Sequence, residues 1–150
     1  MPRLILISIS LLLFAACSKQ EPSSSEGGPP LAVTGSAPSV SGEKLFMDNC
    51  ATCHMADGGG VPNLQPPIAG SAWISAPDPQ LLLTLILRGS AVLGEAATAF
   101  DNDMAPLAHL TDAEIAALAT YTRQRFASSP PPNEVTPAEV ALARSRPGLP

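Results

Sequence analysis

Three side chains able to do chemistry stand within five residues. They are Cys50, Cys53 and His54, in the run Cys-Ala-Thr-Cys-His. On a helix, positions three apart lie one turn apart on the same side. Two thiols so placed can reach the two vinyl groups of one porphyrin and form thioether bonds to it. The imidazole continues the same turn, so its ring can arrive under the iron as an axial ligand. Three other readings compete: a redox-active dithiol, half of a zinc site and a plain disulfide. Zinc needs further Cys or His, and only Cys17 and His109 remain. A dithiol oxidoreductase carries its Cys pair at the end of a strand in a βαβ unit, and no such pattern surrounds these residues. The motif points to one haem c, covalent through Cys50 and Cys53.

A second axial ligand is expected from the run Phe100-Asp101-Asn102-Asp103-Met104-Ala105-Pro106. Met104 is the methionine placed to reach the far side of the iron, and a Met thioether opposite a His is the ligand set of electron-carrying c-type haems. A lone loop Met more often fills a gap in a core. Met47 lies one turn before Cys50, on the His54 side, and reads as packing. His109, two residues before the next helix, reads as surface or capping. An axial His needs a partner for its second ring N–H; the carbonyl of Pro67, in the stiff run Gln65-Pro66-Pro67, is the candidate. Haem propionates need donors, and Trp73 and Arg88 flank the region. Core packing for Trp73 and a solvated helix end for Arg88 are equally open. Phe100 is counted among the haem-contacting residues.

The elements that must hold these groups read as helices. Glu43–Cys53 carries the motif, with Ser41 as N-cap. Gly58-Gly59-Gly60 stops it. Asp78-Pro79 opens a second helix, Gln80–Arg88, apolar nearly all round and ended by Gly89. Ser90–Leu110 shows no period and reads as a long loop, of the kind that often carries function. Thr111-Asp112-Ala113-Glu114 is a capping box. After it Ile115, Leu118, Ala119, Thr122 and Phe126 form a helical stripe. Arg123 and Arg125 suit the last turns of that helix. A second box, Thr136-Pro137-Ala138-Glu139, predicts a short helix to about Arg144. The fold class is all-α: three main helices and a short C-terminal one around a single covalent haem.

Of the 150 residues, 4% are aromatic and 17 are proline, so a haem would supply flat apolar mass that the chain lacks and much of the chain must be loop. Leu4–Phe14 is an apolar run after a charged start, right for a signal h-region and short for a membrane span. Ala15-Ala16-Cys17 resembles the bacterial lipoprotein signal, which implies cleavage before Cys17 and lipid on that residue. The expected organisation is a signal at 1–16, a lipid-anchored tether at 17–42, a haem domain at 43–128 and a Pro-rich extension at 129–150 with a helix at 137–144. The tether is Ser-, Pro- and Gly-rich, with a reach of roughly 25–30 Å if flexible. Without Arg3 the chain has 7 basic and 13 acidic residues, a net −6. That balance disfavours nucleic acid and anionic lipid, and suits either docking on a basic surface of another protein or simple solubility.

Glu43–Arg144 resembles the class I cytochrome c family, notably the subunits and modules that serve periplasmic dehydrogenases and respiratory oxidases. The matching residues are Cys50–His54, the Gly58/Gly60 pair, Pro66–Ser71, the start at Asp78, Met104 six residues before Leu110-Thr111-Asp112, and the run from Thr136. The resemblance implies that His54 and Met104 ligate iron, that Cys50 and Cys53 carry the thioethers, and that the carbonyl of Pro67 orients His54. The family often has Gly where this chain has Met55, and Met-Pro where it has Met104-Ala105. Function is expected to be one-electron transfer on the periplasmic side of a bacterial cell envelope, on a lipid anchor, the outer membrane slightly favoured. The protein itself would be a carrier, not an enzyme, exchanging electrons with a dehydrogenase, an oxidase or another cytochrome. The rivals are a fixed subunit of such a complex, a haem sensor or catalyst with a labile Met104 bond, and a haem-free lipoprotein with a disulfide.

Overall fold

The computed structural model describes residues 40–129, 133–146 and 148. The expected signal, Cys17 with its expected lipid and nearly all of the expected tether lie outside them. Among the described residues six helices run in the order α1 (Gly42–Asn49), α2 (Ala51–His54), α3 (Ala72–Ser75), α4 (Gln80–Arg88), α5 (Asp112–Phe126) and α6 (Pro137–Ser145), with a 3-10 segment at Ser90–Ala99 between α4 and α5. There is no strand among the described residues; Val61 and Gln65 make an isolated antiparallel bridge. The all-α expectation holds.

The motif helix is broken where one continuous helix was expected. Ser41 caps α1, its hydroxyl accepting the Lys44 N–H at 3.2 Å. At Cys50 the backbone opens to φ −117°, while the Cys50 N–H still reaches the Phe46 carbonyl at 2.8 Å. Helix α1 ends there and α2 starts at Ala51, with Cys50 half-buried and Cys53 exposed. Met47 is 47% exposed and so is not the packing residue its position suggested.

Helices α1 and α5 cross with their backbones in contact. A Cβ on Gly42 would sit 2.2 Å from the Ala117 carbonyl, so only glycine allows this approach. Beyond the crossing, Phe46 packs on Phe126 and Tyr121, with ring centroids 4.9 and 5.7 Å away. Phe46, Leu83, Ile115, Leu118 and Val140 are fully buried and tie α1, α4, α5 and α6 into one core. Each such side chain contributes roughly 1.5–3 kcal/mol by leaving water.

Both capping boxes form, at Thr111/Glu114 and Thr136/Glu139. The expected stripe of α5 is its buried face. Arg123, read as a dipole complement, is instead 3% exposed and donates to the carbonyls of Ala76 and Pro77, fixing the turn before α4. Asp78 accepts the Gln80 N–H at 3.0 Å, and α4 starts there. The first half of the expected loop after Gly89 is the 3-10 segment, interrupted at Gly94. The short α3, capped by the Ser71 hydroxyl, had no periodic signal. Helix α6 is part of the core, with Val140 and Ala143 buried.

Candidate haem-binding site

Between α1, α2, α4, α5 and the segment 100–107 lies a cavity of about 500 Å³. Cys50, Cys53, His54 and Met104 all line it, with Trp73 and Phe100. Much of its wall is apolar, contributed by Phe46, Ile74, Leu82, Leu85, Ile86 and Leu118 among others. A cavity of that size and character suits a flat apolar cofactor with a few fixed polar contacts.

The His54 side is built by a loop that folds back under α2. Met55 ends α2 at φ 63°, ψ 159°. The Gly60 N–H then returns to the His54 carbonyl at 3.0 Å. The Ile68 and Ala69 N–H groups both reach the Gly58 carbonyl, at 2.8 and 3.1 Å, and the Gly70 N–H reaches the Phe126 carbonyl at 2.8 Å. This closure puts the Pro66 carbonyl 3.0 Å from Nδ1 of His54. With the proton on Nδ1 the carbonyl accepts it, and Nε2 is left as the free donor atom. The carbonyl is therefore that of Pro66, not Pro67. Adjacent carbonyls in an extended run point to different sides, and the loop closure selects the first. Pro67 also lines the cavity.

The Met104 side is held at both ends. Met104 accepts the Ser90 N–H at 3.0 Å and gives its own N–H to the Ser90 hydroxyl at 2.9 Å. Ser90 in turn donates to the Asp103 carboxylate at 3.2 Å. Upstream, the Asp101 and Asn102 N–H groups reach the Asn63 and Leu64 carbonyls at 3.0 and 3.3 Å; downstream, the Leu107 N–H reaches the Ile86 carbonyl at 2.8 Å. Gly89 makes the clasp possible. It sits at φ 74°, ψ −176°, and a Cβ there would lie 2.2 Å from the Met104 carbonyl. Sequence reasoning saw Gly89 only as a helix stop; the positive φ and the close approach are tertiary facts. Ser90, which holds the Met104 segment, was missed, because a serine after a helix carries no distinguishing signal.

Arg88 is not a cavity residue. Its guanidinium turns to α6 and donates to the carbonyls of Arg144, at 3.3 Å, and Arg146. Trp73 lines the cavity while 41% exposed. His109 is exposed.

The donor set fits a covalent haem better than it fits thiol exchange. Burial pushes the Cys50 thiol from its ordinary 9.0 up to about 11, with Cys53 beside it adding to the rise. Exchange-active thiols are held low, as thiolates. Two free cysteines, an imidazole with one nitrogen pinned and a thioether around one apolar cavity are groups that could hold a covalently attached porphyrin.

The cytochrome c family model matches residues 39–125. Similar proteins include the subunit named "Alcohol dehydrogenase (quinone), cytochrome c subunit" of Gluconobacter oxydans (strain 621H), 32% identical over 97 residues, which is 60% of this chain and 19% of that protein. Subunits of the same name from Gluconacetobacter polyoxogenes and Komagataeibacter europaeus are each 36% identical over 59 residues, 39% of this chain and 13% of theirs. The chain thus spans about a fifth or less of the length of the curated relatives it matches.

Proposed function

This chain belongs to the cytochrome c family of electron-transfer proteins, and we propose that it is a mono-haem carrier of the bacterial cell envelope, relaying single electrons from a dehydrogenase or respiratory complex to a further acceptor. Haem supplies the couple between ferric and ferrous iron. In this reading Cys50 and Cys53 hold the group by thioethers. His54, its Nδ1–H donated to Pro66, presents Nε2 in a fixed plane. Met104 presents its thioether from a backbone clasped by Ser90. Leu82, Leu85, Ile86 and the other apolar walls keep water from the cavity. With both ligand-bearing segments pinned, little moves when the charge changes. Trp73 and Phe100 pack at the cavity, and electrons leave toward a partner docked on its exposed side. Cys17 carries the lipid anchor, on the periplasmic face, and the acidic chain docks on a basic partner surface.

The observation that carries this is a cavity shared by a pinned His54 and a clasped Met104. The test is expression beside a working c-type maturation system. The expected product gains the mass of one haem and shows the ferric Met–iron charge-transfer band, which Met104→Ala abolishes. A colourless product would overturn the reading. A haem-bearing product without the band would move it to a ligand-binding role.

A second reading is favoured by the relatives' names: a fixed cytochrome subunit or module of a quinone-dependent dehydrogenase complex. Purification from membranes decides it. A stoichiometric dehydrogenase that stays through salt washing supports the subunit, and a free monomer supports the shuttle.

A further inference from the structure

Helix α6 lies beyond the family-model match, which ends at residue 125, yet it reaches the chain segment that leads out of the Met104 clasp. We infer that Arg144 is a positioning residue, holding residues 104–112 so that Met104 stays at the cavity. The assignment rests on the axial role proposed for Met104.

Arg144 spends every face of its guanidinium on that segment. Nε donates to the Asp112 carboxylate at 2.6 Å, Nη1 to the Ala108 carbonyl at 2.8 Å, and Nη2 to the Leu110 carbonyl. Neither carbonyl receives a backbone N–H among the described residues. A planar fork with three fixed donors suits this better than a point charge would. The anchoring of α6 does not need the guanidinium: Val140 and Ala143, at 0% and 1% exposure, do the packing. Arg88 then closes a ring. It runs from α4 to the end of α6 through the Arg144 and Arg146 carbonyls, so that α4 holds α6, Arg144 holds 108–112, and the Leu107 N–H returns to Ile86 on α4. Met104 lies three residues before the Leu107 that closes this ring, in the adjoining loop tied to Ser90. Loosening the Arg144 link frees the downstream half of the segment and raises the fraction of molecules in which Met104 has swung away.

An added ligand reads that fraction directly, because its apparent affinity scales with the competent population. The experiment uses the full haem-bearing chain and titrates the ferric form with imidazole. Amide exchange is followed at Met104, Leu107 and Leu110. Loss of one charge-assisted hydrogen-bond set is expected to tighten imidazole binding by about tenfold in Arg144→Ala, and to speed exchange at the three amides. Gly42→Ala weakens the fold at the α1–α5 crossing, away from the segment, and is expected to leave both readings at wild-type values. Unchanged affinity and exchange in Arg144→Ala, or the same changes in Gly42→Ala, would overturn the assignment. Should Arg144→Ala not fold, Arg144→Lys keeps the charge and loses the fork; no change in that variant overturns it equally. If the wild-type protein lacks the Met–iron band, the axial reading of Met104 fails on its own, and the exchange measurement still reports whether Arg144 holds the segment.

Discussion

Replacing Gly89 by alanine places one methyl group in the most crowded turn of the site. Two costs follow. The backbone at φ 74°, ψ −176° is a region that essentially only glycine occupies, and holding alanine there costs about 1–3 kcal/mol. The new Cβ would also meet the Met104 carbonyl at 2.2 Å and the Pro106 nitrogen at 3.1 Å, both backbone atoms of the clasped segment. That segment must retreat, and the Ser90 N–H to Met104 carbonyl bond is lost, at a further cost of about 1 kcal/mol. Gly89→Ala is therefore expected to lose about 3 kcal/mol in urea unfolding of the haem-bearing protein, together with most of the Met–iron band. Gly94→Ala separates the two causes. Gly94 has φ 55°, ψ −132°, and among the described residues nothing lies within 4 Å of its Cβ direction. That variant should show strain alone, about 1–2 kcal/mol, with the band intact. A Gly89→Ala protein that keeps the full band and loses no more than Gly94→Ala would refute the argument that Gly89 positions Met104.

Met55→Gly should act in the opposite sense. Met55 holds φ 63°, ψ 159° as a non-glycine residue and is 46% exposed, so little packing is lost with its side chain. Relief of strain, less the extra freedom of glycine in the unfolded chain, predicts a gain of about 1 kcal/mol in urea unfolding; a loss would show that the Met55 side chain packs in a way its exposure conceals. The Glu114 carboxyl lies below its ordinary value of 4.5, held first by the Thr111 backbone N–H and then by its hydroxyl. A depressed folded value means the stabilisation is complete above the unfolded value and disappears as pH falls through the folded one. The stability gap between wild type and Glu114→Gln should accordingly be open at neutral pH and close in acid; a gap constant across the carboxylate range would refute the capping role.

Much was decided within a few residues of chain. A capping box is a contact between residues three apart, so Thr111/Glu114 and Thr136/Glu139 are legible as letters and form as such. The apolar stripe of α5 is set by helical period alone, and all five of its members are buried. The spacing of Cys50, Cys53 and His54 likewise needs nothing beyond one turn of backbone. What the letters left open are choices between neighbours of similar chemistry. Pro66 and Pro67 offer equal carbonyls, and the loop closure through Gly58, Ile68 and Ala69 aims the first at His54. Arg88 ends an apolar helix and could turn either way; α6, fifty-six positions on, supplies the acceptors that draw it from the cavity. Ser90 gains its role because Gly89 lets the Met104 backbone come within reach. Local hydrogen bonds repeat wherever their short pattern occurs, whereas the direction of a carbonyl or a guanidinium depends on groups far along the chain that only packing brings near.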